Sequence, residues 1–119
     1  MKKYHQMQSK SSVEKIDILK RRASRIKKIR KYFEKQNVLE VDTPILSEKA
    51  VSDIHIESIG ATVNNKQNFL HTSPEFCMKR ILAMCSADIY QICKVFRDHE
   101  KGSLHSPEFT MVEWYRMNF

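Results

Sequence analysis

Arg97, Phe109, Glu113 and Tyr115 are the residues of this 119-residue chain whose types and spacing suit chemistry done together. Phe109, Met111, Glu113 and Tyr115 are each two apart in the run Pro107-Glu108-Phe109-Thr110-Met111-Val112-Glu113-Trp114-Tyr115-Arg116. Side chains two apart on a strand share a face, so these four line one side while Thr110, Val112 and Trp114 line the other. Arg97 closes the run Ile89-Tyr90-Gln91-Ile92-Cys93-Lys94-Val95-Phe96-Arg97 and projects a planar cation toward the same face. A guanidinium, an aromatic ring, a carboxylate and a phenol in one row suit a ligand that is anionic at one end, aromatic in part, and bears an amine. Taken singly, each of these side chains is better explained as core or rim of a half-buried strand. It is the row beside an arginine that favours a site.

Two elements must position the row. The first run is rich in Ile, Val, Tyr and Phe, the second alternates, and the polar stretch Asp98 to Ser106 with Gly102 joins them, which predicts a long hairpin. Upstream, Ile16, Leu19, Ala23, Ile26, Ile29 and Phe33 follow a three-and-four spacing, which predicts an amphipathic helix over about 15–36. Asn37 is a natural stop, because Asn tolerates the left-handed conformation. Val38-Leu39-Glu40-Val41 reads as a short strand broken by Asp42-Thr43-Pro44, and residues 1–12 read as a disordered lead. Ile56 to Leu70, around Gly60 and the turn-prone Asn64-Asn65-Lys66, fits a meander of short strands. Ser73 reads as an N-cap and Pro74 as the first position of a helix over about 74–86. That helix would bury Met78, Ile81, Leu82 and Cys85 and leave Lys79 and Arg80 outside. By itself Glu75 is a first-turn acid favourable to the helix dipole. The pattern is that of an α+β domain, an antiparallel sheet holding the hairpin and flanked by both helices.

Composition narrows the class. Hydrophobic residues at 41% and charged residues at 29%, with two glycines, are ordinary for one soluble domain. No apolar run reaches the length of a membrane span and no signal peptide opens the chain, so the expected location is the cytoplasm and no membrane partner is expected. Cys77, Cys85 and Cys93 have no close partner in sequence and read as reduced, buried thiols, not as a disulfide or zinc site. His55 has no ligand at metal spacing and reads as an ordinary histidine. The net charge of +7 invites nucleic acid, but nine cations fall between Lys20 and Lys35, and a charge run on a helix is first its solvated face.

The run Phe96-Arg97-Asp98-His99-Glu100, continued by His105-Ser106-Pro107-Glu108-Phe109-Thr110-Met111-Val112-Glu113-Trp114-Tyr115, resembles motif 2 of the class II aminoacyl-tRNA synthetases in its lysyl form. Its Glu-Trp-Tyr ending is closer to the branch of that family that ligates lysine to elongation factor P. The helix, short strand and Pro44 resemble motif 1, which in the family builds a dimer, and the stretch Leu46 to His55 resembles the loop after it. The resemblance spans about 15–119 and implies ATP-dependent activation of lysine or β-lysine as an adenylate, then transfer to a lysine of elongation factor P. Carried over, Arg97 is the catalytic contact to the α-phosphate, and Asp98, His99, Glu100, His105, Ser106 and Phe109 line ATP, with Phe109 stacked on adenine. Ser73, Pro74 and Glu75 would hold the amino-acid end of the substrate, and Glu113 and Tyr115 its far ammonium.

Two positions depart from the motif: His99 stands where a glutamate is usual, and Ser106 where an asparagine is usual. Motif 3, with its second arginine and the carboxylates that bind Mg²⁺, is not among these residues. The expectation is therefore the first part of a catalytic domain, inactive alone, with metal ligands outside this chain. A homodimer is expected through motif 1, and tRNA is not expected as a partner. The alternatives are a catalytic piece of a lysyl-tRNA synthetase and a non-catalytic synthetase-like interaction module.

Overall fold

The computed structural model describes residues 11–50, 56–98, 102 and 104–117. His55, His99, Glu100 and positions 1–10 lie outside them. The chain divides into two compact units, Met1–Asn37 and Val38–Phe119.

The first unit is the helix α1, Ser12–Lys35. It starts a little earlier than the apolar spacing predicts because of a capping box. The Ser11 hydroxyl accepts from the Glu14 backbone N–H at 3.3 Å, and the Glu14 carboxylate accepts from the Ser11 N–H at 2.8 Å. Ser11 and Ser12, expected in a disordered lead, are thus the cap and the first residue of the helix. Asn37, just past the end, has φ 54°, the left-handed stop its identity suggests. Phe33 is buried and edge-packed on Tyr32 at 5.3 Å. Toward the N-terminal end Val13, Ile16 and Leu19 of the apolar stripe are at least half exposed, and Val13 and Ile16 border a shallow groove of about 380 Å³ with Ser12, Asp17 and Lys20.

The second unit holds two three-stranded sheets and one helix. In the first sheet the strand β5 (Ile89–Phe96) lies between β1 (Leu39–Glu40) and β6 (Glu108–Tyr115). β5 and β6 form the expected hairpin, in register from Ile89 opposite Tyr115 to Phe96 opposite Glu108. β1 runs parallel to β5, so this sheet is mixed and the expectation of a purely antiparallel one is corrected. A parallel pair needs a long crossover, and here the crossover contains the whole second sheet and the second helix. That sheet is antiparallel, ordered β2 (Leu46–Ser47), β4 (Lys66–Leu70), β3 (Gly60–Val63). Its β3–β4 turn has φ 50° at Asn64 and 62° at Asn65, the positive values that a tight type I′ hairpin requires and Asn tolerates. Lys66, expected in the turn, already opens β4.

The helix α2 spans Glu75–Met84, shorter than the expected 74–86. Pro74, expected at its first position, is instead the cap residue. It is fully buried, and its carbonyl accepts the first helical bond from Met78 at 2.9 Å. Ser73, expected to cap, only accepts from the Glu75 N–H at 3.4 Å. Met78 is completely buried with Ile89 and Val95 of β5 in the core. α1 belongs to the other unit, so α2 alone shares a unit with the sheets. The three cysteines are free, as expected, but half-buried instead of buried. Among the described residues no helix is long and apolar enough to cross a membrane.

Candidate functional site

The two sheets meet at the segment 71–72, and this junction positions the arginine. His71 N–H donates to the Ile45 carbonyl and the His71 carbonyl accepts from Phe96 N–H at 3.0 Å, which ties the end of β5 to the second sheet. Its ring Nε2 lies 2.6 Å from the Lys94 carbonyl. A carbonyl can only accept, so Nε2 carries the proton. The next carbonyl, that of the almost fully buried Thr72, accepts from Arg97 Nε at 3.2 Å. The Arg97 backbone N–H donates to Pro107 and so closes the neck of the hairpin. Held at both ends, the guanidinium lies 5.3 Å over the Phe109 ring, a cation–π arrangement. The two terminal nitrogens of Arg97, the pair suited to two phosphate oxygens, have no protein partner among the described residues.

Further along the same face, the Tyr115 hydroxyl donates to Glu113 Oε2 at 3.0 Å. Burial pushes the Glu113 carboxyl above its ordinary range, a push that the Tyr115 hydrogen bond opposes. The nearby Glu75 carboxylate adds to it, and Lys79 and His71 oppose it. Burial, and then Glu113, push the Tyr115 phenol upward too, so it stays protonated. The Glu75 charge acts on both groups. The Glu75 carboxylate is bound at 2.6 Å by Lys79, one turn on. Cys93, on the same face, is pushed up to about 11 by burial first, then by Glu113 and Asp42. It is a protonated thiol at neutral pH and not a nucleophile.

The sequence-predicted residues are thereby distributed as follows. Arg97 and Phe109 are together at one end of the face, Glu113 and Tyr115 at the other, with Glu75 acting on them. Ser73 and Pro74 precede Glu75 at the helix start. Asp98 is exposed and its backbone bridges to Glu57. His105 is exposed, its N–H bonded to the Gly102 carbonyl at 3.3 Å, and Ser106 is half-buried. A side chain on Gly102, at φ 140°, would come within 2.8 Å of the His105 ring, so glycine is needed at that point of the connection.

Sequence reasoning passed over Thr72 and His71, which act through backbone carbonyls, and Gln91 with Thr43. Gln91 is 1% exposed and stands directly opposite Glu113. The Thr43 hydroxyl donates to its Oε1 at 2.9 Å. The available signal was one amide inside the apolar run Ile89-Tyr90-Gln91-Ile92, in phase with Glu113.

The sequence profile of the class II tRNA synthetases specific for D, K and N matches residues 2–119. The chain belongs to the class II tRNA synthetase family. Within this family it is similar to proteins named elongation factor P–(R)-β-lysine ligase. It is 50% identical to that of Mannheimia succiniciproducens over 104 residues, 82% of this chain and 32% of the relative. It is 50% identical to that of Vibrio atlanticus over 107 residues, 85% and 33% of the two chains, and 48% identical to that of Pseudoalteromonas translucida over 110 residues, 87% and 34%. The chain thus spans about a third of the length of the curated relatives it matches. In this member of the family the arginine and the acidic strand end lie on a single sheet face.

Proposed function

We propose that this chain is part of an ATP-dependent ligase that activates lysine or β-lysine as an adenylate and transfers it to a lysine of elongation factor P, in the cytoplasm. The observation that carries the reading is the placement of Arg97 on Phe109 and of Tyr115 on Glu113 at opposite ends of one strand face. In such a reaction the substrate carboxylate attacks the α-phosphorus of ATP and pyrophosphate leaves. Two anions must be held in line and the charge at phosphorus offset, which calls for fixed cations more than for proton transfer. Arg97 would take the α-phosphate with its terminal nitrogens while Thr72 fixes Nε. Phe109 would stack on adenine, with Asp98, His99, Glu100, His105 and Ser106 around the nucleotide.

At the other end Glu113, with Tyr115 beside it, would pair with the far ammonium of a lysine-like substrate, and Glu75, Ser73 and Pro74 would receive the amino-acid end. The names of the relatives support elongation factor P as acceptor. The Mg²⁺ that accompanies ATP would need only one or two protein carboxylates besides the phosphates, and these would come from residues outside this chain. With a single phosphate-gripping arginine described, the 119 residues alone are expected to give no measurable activation. The exposed apolar stripe of α1 supports a homodimer through that helix.

The acceptor is tested by incubating the gene product that carries this sequence with ATP, labelled lysine or β-lysine, elongation factor P and tRNA. Label on elongation factor P supports the reading. Label on tRNA moves the assignment to a lysyl-tRNA synthetase, and no label with ATP left unbound supports a non-catalytic module.

A further inference from the structure

The lysine-specific end of the face contains a buried group that the family reading does not use. Gln91 Nε2 is buried and has no hydrogen-bond partner. Buried amide groups without partners are rare, because the desolvation cost goes uncompensated. The other arm of the amide is anchored, since Oε1 accepts from the Thr43 hydroxyl at 2.9 Å and Thr43 is itself buried. Thr43 follows β1, which flanks β5 on the side away from β6, so the unpaired arm is the one left for the Glu113 side. Directly opposed residues on antiparallel strands have Cβ atoms about 4.5–5.5 Å apart, which makes Gln91 and Glu113 neighbours on one face of the sheet.

We infer that Gln91 is a substrate-binding residue that completes, with Glu113 and Tyr115, a three-acceptor cradle for a primary ammonium. The inference rests on the lysine-like reading of the site proposed above. A primary ammonium has three N–H donors and no acceptor. Glu113 supplies one acceptor by charge and the Tyr115 phenol oxygen a second, which leaves one N–H to be satisfied. Gln91 supplies the third by turning its amide over. A hydroxyl both donates and accepts, so Thr43 can hold either end of the amide. With the ligand in place Nε2 donates to Thr43 Oγ1 and Oε1 accepts from the ammonium, and the donor that is unpaired in the empty site gains its partner. The same arrangement explains selectivity, because a neutral isostere offers fewer donors and leaves buried acceptors unpaired.

The test uses the gene product that carries this sequence, with ATP–pyrophosphate exchange as the assay. Gln91→Met keeps the side-chain length and removes both polar arms. It is expected to raise KM for the lysine-like amino acid about tenfold while leaving KM for ATP unchanged. It should also narrow the preference for lysine over its analogue with a terminal hydroxyl, whereas Gln91→Glu, which keeps an acceptor, should retain that preference. An unchanged amino-acid KM and preference in Gln91→Met overturns the inference, as does an equal loss toward ATP. Glu113→Gln separates the two levels of argument: if it too leaves lysine unaffected, the lysine-like reading fails, and if it alone has an effect, only the role of Gln91 fails. Should Gln91→Met not fold, the wild-type protein decides by NMR. The Gln91 side-chain amide resonances are expected to shift on addition of lysine and not of norleucine, and equal or absent shifts contradict the cradle.

Discussion

Burial and the proposed ammonium ligand ask for different charge states of Glu113. In the empty site burial favours its protonated form, whereas an incoming ammonium favours the carboxylate. A carboxyl whose folded pKa is raised contributes stability that is fully present below its unfolded value, near 4.5, and lost as pH rises through the folded value. Glu113→Gln is therefore expected to raise the melting temperature of the unliganded protein at pH 7, with the difference closing below about pH 4.5 in a pH series of thermal melts. The same change should cost more than tenfold in KM or turnover for lysine, because a desolvated ammonium loses its counter-charge. Opposite signs in the two measurements would tie the acid to function and not to folding. Phe109, Glu113 and Tyr115 were legible because strand alternation puts them on one face, and Arg97 because a hairpin returns the end of the first run to that face. Gln91 was not, since its meaning depends on Thr43, a contact 48 residues away in sequence that periodicity cannot report.

At the scale of elements, the hairpin is closed at both ends by specific contacts. At its open end the Asp88 carboxylate, just before β5, accepts from Arg116 Nε at 3.0 Å and from the Met117 N–H at 2.8 Å, just after β6. The Met117 N–H first, and then Arg116, hold the Asp88 carboxyl below its ordinary range. A depressed carboxyl contributes stability above its unfolded value of 3.8 that is lost as pH falls through the folded one. Asp88→Asn is thus expected to destabilise at pH 7 and to matter less as pH drops below 3.8, as chemical denaturation at several pH values would show. In α1 the exposed Leu19 should contribute to self-association, so Leu19→Asp is expected to lower the mass seen by sedimentation at tens of micromolar without loss of helix by circular dichroism. A monomer in both proteins would remove α1 from the interface. The helices and the hairpin could be read from local period, and Asn37 from its left-handed tolerance. The parallel partner of β5 could not, because β1 is only two residues long and its pairing is fixed by tertiary hydrogen bonds from Leu39 N–H to Asp88 and from Val41 N–H to Tyr90. The displaced start of α2 has a similar cause, since burial of Pro74 overrides the local capping preference of Ser73.

At the scale of the whole molecule, the net charge of +7 favours association with anions in general. On the proposed reading, specificity comes from the row of groups on β5 and β6. That reading has this row activate a lysine-like amino acid with ATP. ATP–pyrophosphate exchange by the gene product carrying this sequence, run with each amino acid in turn and repeated with Arg97→Ala, tests it most directly. Exchange is expected to depend on lysine or β-lysine and to fall at least about a hundredfold in Arg97→Ala, the typical loss when a fixed transition-state contact is removed. Exchange driven by an unrelated amino acid, or exchange that survives Arg97→Ala undiminished, would contradict it.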